Sequence, residues 1–173
     1  RSGNTGDNPF KKKEVRQALY QAMDIEAIKK KVMRGLSEPA GIITFPGVNG
    51  YTTDLDKRLP YDVDAAKKLL ADAGYPNGFD VELRCPNDRY VNDEAICTAV
   101  VGMFGKIGVN VNLFAQTKSK HFKELKDNQG DFYMLGWGVP TLDSHYVFHY
   151  LYESGASWNK VNFSNSEVDA AIR

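Results

Sequence analysis

The stretch Tyr61–Pro86, YDVDAAKKLLADAGYPNGFDVELRCP, runs a capped helix, a glycine stop and an alternating strand into one another with no linker between them. Asp62 stands where its carboxylate accepts backbone N–H groups two or three residues on, and Val63, Ala66, Leu69, Leu70 and Ala73 recur at helical spacing. Gly74 stops the helix, Pro76 forbids its continuation and Asn77-Gly78 supplies a turn. Phe79, Val81 and Leu83 then alternate with Asp80, Glu82 and Arg84, a half-buried strand that puts Arg84 on its surface side. The segment reads as one αβ unit of a layered α/β domain.

Working outward, the same order recurs. Upstream, a helix is expected from about Pro9 to Met23, then a second one capped by Asp24, striped by Ile25, Ile28, Val32 and Met33 and ended by Gly35. Leu36 to Leu59 is rich in glycine, threonine and proline and lacks periodicity, so it reads as a long surface excursion of the functional or partner-facing kind. Downstream, Asn92 or Asp93 caps a helix striped by Ile96, Ala99, Val100, Met103, Phe104 and Ile107, and Val109, Val111 and Leu113 form the next strand. A short helix from about Ser119 to Lys126 leads to Phe132–Leu135, an apolar run that suits a strand covered on both faces. Asp143 or Ser144 opens another helix and Ser166 the last. Alternating helices and strands predict an α/β fold with a mixed sheet flanked by helices.

A chain of 173 residues that is 42% hydrophobic suffices for one globular core. Lysine plus arginine equals aspartate plus glutamate at 22 each, so no charge excess exists to hold a nucleic-acid backbone, and Lys11–Lys13 and Lys29–Lys31 read as solvated helix faces. No apolar run approaches the length of a membrane span. Cys85 and Cys97 fit no CxxC motif; in an oxidising compartment they bridge if their Cα atoms come within about 7 Å, and two buried thiols is the expectation.

The quoted helix-turn-strand resembles a segment of the bacterial extracytoplasmic solute-binding proteins, family 5, which deliver peptides, nickel complexes and similar solutes to ABC importers. NPFKKKEVRQALYQAMDIEAI, GDFYMLGWG and NFSNSEVDAAI resemble other stretches of that family, in the same order, so the likeness runs from about Asn8 to the end. It implies a periplasmic-binding-protein-like (type II) lobe over residues 8–173, a fragment of a two-lobed protein, with residues 1–7 a tag or loop remnant. It also implies a periplasmic setting. The implied partners are a peptide or small-molecule ligand, a missing N-terminal lobe of the same protein and an ABC permease, with no nucleic acid.

Two loops are the candidate ligand-binding sites. Gly136–His145, GWGVPTLDSH, directly follows a strand, where ligands of open α/β sheets gather. Trp137, flanked by Gly136 and Gly138, offers a stacking face and one N–H donor, or else simply packs in the core. In many peptide-binding relatives the residue three after this tryptophan is an aspartate that pairs with a peptide's α-ammonium; here it is Pro140, and Asp143 either replaces it or only caps a helix. The second loop holds Asn87, Arg89 and Tyr90, with Arg89 suited to a bidentate carboxylate pair, or else paired with Asp88 or Asp93. Asp143, His145 and His149 do not complete a metal site, and aromatic packing is the expectation for HYVFHYLY. With no GxSxG, P-loop or GxGxxG present, no catalytic residue and no cofactor is assigned, so an enzyme is not expected. The alternatives are a binding protein for a glutathione-like compound, opine, sugar or metal complex, and a small α/β enzyme.

Overall fold

The computed structural model describes residues 8–173; the segment expected to be a tag or loop remnant lies outside the described residues. The chain divides into two compact units, one formed by Pro9–Pro39 and Leu59–Leu135, the other by Ala40–Arg58 and Gly136–Arg173 together with Asn8.

The first unit is the α/β one. It holds α1 (Lys13–Ala22), α2 (Ile25–Ala27), α3 (Val63–Asp72), β1 (Phe79–Pro86), α4 (Asp93–Gly105), β2 (Val109–Gln116), α5 (Lys118–Lys126) and β3 (Phe132–Tyr133). The opening stretch folds as its sequence predicts: Asp62 accepts the Ala65 N–H at 2.9 Å to cap α3. At the other end Gly74 takes φ +91°, the Tyr75 N–H bonds Leu70 O and the Gly74 N–H bonds Ala71 O. That pair of bonds is the Schellman arrangement, which satisfies the last carbonyls of a helix. Gly78, at φ +73°, lies so close to the Gly108 backbone that any side chain there would overlap its carbonyl. The turn of one αβ unit thereby packs on the turn of the next.

The sheet order is β2-β1-β3, all parallel, with Phe79 opposite Val109 through Pro86 opposite Gln116, and Leu83 and Arg84 opposite Phe132 and Tyr133. Val81, Leu83, Cys85, Val109 and Val111 are buried with Phe10, Val15, Leu19, Leu70 and Phe104 in one core. The helix after Asp24 departs from expectation. Asp24 does accept the Ala27 N–H at 2.9 Å, but α2 passes directly into a π-helical turn over Ile28–Val32 before Gly35 at φ +79° ends it. The run Phe132–Leu135 also departs, since only Phe132–Tyr133 pair and all four residues are half-buried, not covered on both faces.

Arg84 is a correction. Its side chain is only 11% exposed, pairs with Glu82 at 2.8 Å and Glu124 at 3.3 Å, and its guanidinium lies 3.9 Å over the Phe114 ring. A planar guanidinium held between two carboxylates and an aromatic face ties the strand to α5, which a strand-surface reading does not provide.

The second unit has no sheet among the described residues. It carries α6 (Ser144–Leu151) and α7 (Ser166–Ile172), packed against each other, around a small core of Val48, Val139 and Val147. Residues 40–58 form neither helix nor strand but are ordered by Asp56, which accepts from the Gly41 N–H at 2.5 Å and the Tyr51 hydroxyl at 2.9 Å. Those donors, Gly41 first, hold the Asp56 carboxyl below its usual range.

Candidate functional site

The loop after β1 is braced from beneath. Cys85, the buried residue near the strand's end, is joined to Cys97 of α4 in a disulfide with Cα atoms 6.6 Å apart, which corrects the expectation of two free thiols. Met134 packs against both sulfurs, at 3.9 and 3.7 Å. Asp93, also buried, accepts the backbone N–H groups of Arg89 and Tyr90, each at 2.9 Å on one oxygen, and that of Glu94 at 2.9 Å on the other. Burial pushes this carboxyl up, but the N–H donors of Tyr90, Arg89 and Glu94 outweigh it and leave the group below the ordinary aspartate range. Asp93, a candidate helix cap by sequence, works instead as an anchor for the turn. Asn92 does not cap either. It sits at φ +55° and donates its side-chain amide to Val32 O at 3.0 Å.

On this frame Asn87 and Arg89 are exposed and Tyr90 half-buried. The Asn87 N–H bonds Gln116 O at 2.9 Å, and Asp88 accepts the Lys118 N–H at 2.5 Å. Both nearby carboxylates are therefore engaged with backbone, and the Arg89 guanidinium lies 5.0 Å from the Tyr90 ring centroid with no ion pair among the described residues. Burial of its backbone anchor with exposure of its head is the arrangement of a presented cation.

The Gly136–His145 loop is ordered differently. Trp137 is half-buried in a cluster with Tyr146 and Tyr150, each with centroids 6.1 Å away, and Trp158 at 5.8 Å edge-on. Its indole N–H is covered and has no acceptor among the described residues. Gly138 is exposed, with open space where a side chain would stand. Asp143 caps α6 through the His145 N–H at 2.8 Å and accepts the Asn49 side-chain amide at 2.9 Å on its other oxygen. Asn49 and then His145 hold this carboxyl below the usual range, so it is ionised at neutral pH. The backbone of Asn49 pairs with the same stretch, taking the Ser144 N–H at 3.0 Å and donating to Leu142 O at 2.8 Å. Asn49, in an unpatterned loop 94 residues away, has no sequence signal that would have found it.

Asp143, Thr141, His145, Tyr146, His149 and Tyr150 line an open concavity of about 490 Å³ within this unit. The two imidazoles stack with centroids 5.5 Å apart, and His149 Nδ1 meets Glu153 at 2.5 Å. Among the described residues no cluster of three or more His, Cys, Asp or Glu side chains is placed to hold a metal. Of the residues singled out from sequence, Asn87, Arg89 and Tyr90 come together on one braced turn in the first unit. Trp137, Gly138 and Asp143 fall in the second, where Trp137 packs with rings and Asp143 faces the concavity.

Comparison with known proteins decides the family. Residues 2–159 match the model described as bacterial extracellular solute-binding proteins, family 5 Middle. The chain belongs to this family. It is 31% identical over 177 residues to Heme-binding protein A of Haemophilus influenzae, covering 98% of this chain and 32% of that protein. Against the Dipeptide-binding protein of Escherichia coli it is 30% identical over 166 residues, 94% of this chain and 31% of the other. The structure of AgaA from A. tumefacien R10 in complex with agropinic acid superposes with a TM-score of 0.83 at 29% identity, over 95% of this chain and 34% of that one. This family 5 chain thus spans about a third of the length of the curated relatives it matches, and its fold is that of a type II periplasmic binding protein. The family consists of substrate-binding proteins with an extracellular setting, and no helix among the described residues is long and apolar enough to cross a membrane.

Proposed function

We propose that this chain is one lobe of a two-lobed solute-binding protein that captures peptides or peptide-like solutes for an ABC importer, the other lobe coming from polypeptide N-terminal to it. The observation that carries the reading is Arg89: an exposed guanidinium without an ion pair among the described residues, on a turn fixed by Asp93 and the disulfide, beyond the carboxyl end of a parallel strand of a family 5 fold. A cation so held pairs bidentately with a ligand carboxylate. The Gly136–Asp143 loop is a candidate in its own unit, with the ionised Asp143 and the tyrosines beside it suited to the polar and planar parts of a ligand. Two lobes that both touch the ligand only when closed shift from open to closed on binding, and periplasmic binding proteins as a class are a standard example of such hinge closure. The disulfide supports a periplasmic location, because such bonds persist in oxidising compartments.

Pro140 and the relatives named for heme and agropinic acid favour a second reading, a non-peptide solute in the same place. The test uses the full-length protein, titrated with a dipeptide and with its C-terminal amide. The charged hydrogen bond of Arg89 is worth about 1.5–3 kcal/mol when shielded, so Arg89→Ala weakens the free acid roughly 10- to 150-fold and leaves the amide unchanged. Equal effects on both ligands would remove Arg89 from the site, and failure of both ligands to bind the wild type would favour the non-peptide solute.

A further inference from the structure

The first unit holds an open cavity of about 360 Å³ to which none of the candidate ligand-binding residues contributes. Two helical stripes wall it. Arg16, Leu19, Tyr20 and Met23 fall at i, i+3, i+4 and i+7, one face of α1 and its C-terminal end, while Ile96, Val100 and Phe104 recur every four residues on α4. Met23, Ile96 and Val100 are only half-buried, so their apolar surface stays in contact with water. Cys97, another lining residue, is joined by the disulfide to β1, which holds the α4 wall in place.

Arg16 is the one charged residue among the described residues that line this cavity. Its side chain is exposed, so the charge stands at the mouth. Nη1 donates to Phe10 O at 2.7 Å and to Lys11 O at 3.1 Å, and the guanidinium makes no ion pair among the described residues. Those carbonyls fix one nitrogen and leave the Nε and Nη2 donors for an acceptor from outside. Predominantly apolar walls with one placed charge are the make-up of a small-molecule site, for which about 300 Å³ is the lower end of the size range. The cation complements a carboxylate, and the two stripes complement an aliphatic chain.

We infer that this cavity is a binding site for a medium-length aliphatic monocarboxylate, its tail along the α1 and α4 stripes and its carboxylate on the Arg16 guanidinium. A covering stretch of protein would need only the apolar walls. The cation held at the mouth selects an anionic amphiphile instead. This site is separate from the one assigned to peptide-like solutes and does not rest on that reading.

Titration calorimetry of the full-length protein with decanoate, octanoate and decanol, each below its aggregation concentration, tests it. Decanoate is expected to saturate the site, and octanoate to bind roughly 10-fold more weakly for the two methylenes it lacks. Arg16→Ala should weaken decanoate about 5-fold, the upper end for an ion pair open to solvent, and leave decanol unchanged. The chain-length comparison uses the wild type, so the test does not depend on how the variant folds. No saturable decanoate binding by the full-length wild type overturns the inference, because the protein's own chain would then cover the cavity. Equal affinity for the two acids overturns it, as does an Arg16→Ala variant that holds decanoate as tightly as the wild type. Displacement of decanoate by a dipeptide also overturns it, by placing the acid in the peptide site. A protein that binds decanoate but no dipeptide fails only the peptide reading.

Discussion

The two candidate loops solve the same problem by opposite means. The turn Asn87–Tyr90 rides on a sheet, with a disulfide at its base and a buried carboxylate taking its N–H groups, so its exposed side chains stand on a nearly fixed backbone. The stretch Gly136–Asp143 rests on no sheet; packed rings around Trp137 and a side-chain bond from Asn49 order it. The first brace is covalent and electrostatic and the second is dispersive. Positional precision should therefore concentrate at Arg89, and adaptability to ligand shape at Trp137 and the tyrosines.

Removing the covalent brace should have the largest effect. Replacing both cysteines, Cys85→Ser with Cys97→Ser, is expected to cost about 3 kcal/mol by the loop-closure entropy of a bridge with this short spacing. Circular dichroism in urea would measure it in the first unit. Both tryptophans lie in the second unit, so indole emission should be unchanged in water. An altered emission spectrum would mean that the two braces are not separate.

Trp137→Ala comes next, at roughly 2–3 kcal/mol, below the cost of truncating a fully buried ring because this one is half-buried. Loss of near-ultraviolet dichroism from the tyrosine cluster, with the sheet signal retained, is the expected record. Asp93→Ala follows at about 1–3 kcal/mol, since it strands the N–H groups of Arg89 and Tyr90. Its pH dependence has a definite sign. The folded carboxyl lies below its unfolded value, so the stabilisation is complete above about pH 4 and is lost as pH falls through the depressed folded value. Faster exchange of the 87–92 segment below that pH in the wild type, absent from Asp93→Ala, would confirm it. Asp143→Ala should do least, fraying the first turn of α6 and freeing Asn49, because that carboxylate is solvent-exposed.

Much of the fold was legible because its signals are local. Asp62, Gly74 and the alternation of Phe79, Val81 and Leu83 act through neighbours a few residues away, and each does what its chemistry requires. What escaped depends on partners far along the chain. Arg84 became a buried ion pair because Glu124 arrives from α5, and Asn49 became a clamp because residues 40–58 join α6 in one unit. Cys85 and Cys97 satisfied the distance condition that sequence left open. At the candidate site, the residue types at Asn87, Arg89 and Asp143 were readable. The split between a braced turn and a ring-packed loop was not, since it follows from Asp93 and Trp158, whose roles need the folded chain.

If the chain supplies only one wall of a ligand cleft, titration calorimetry with a dipeptide must give different results on the full-length protein and on residues 1–173 alone. A full-length site near micromolar, about −8 kcal/mol, should fall toward millimolar, about −4 kcal/mol, when half of its contacts are missing. Almost no heat from the 173-residue chain is the predicted result, and tight, saturable binding by that chain alone would contradict it.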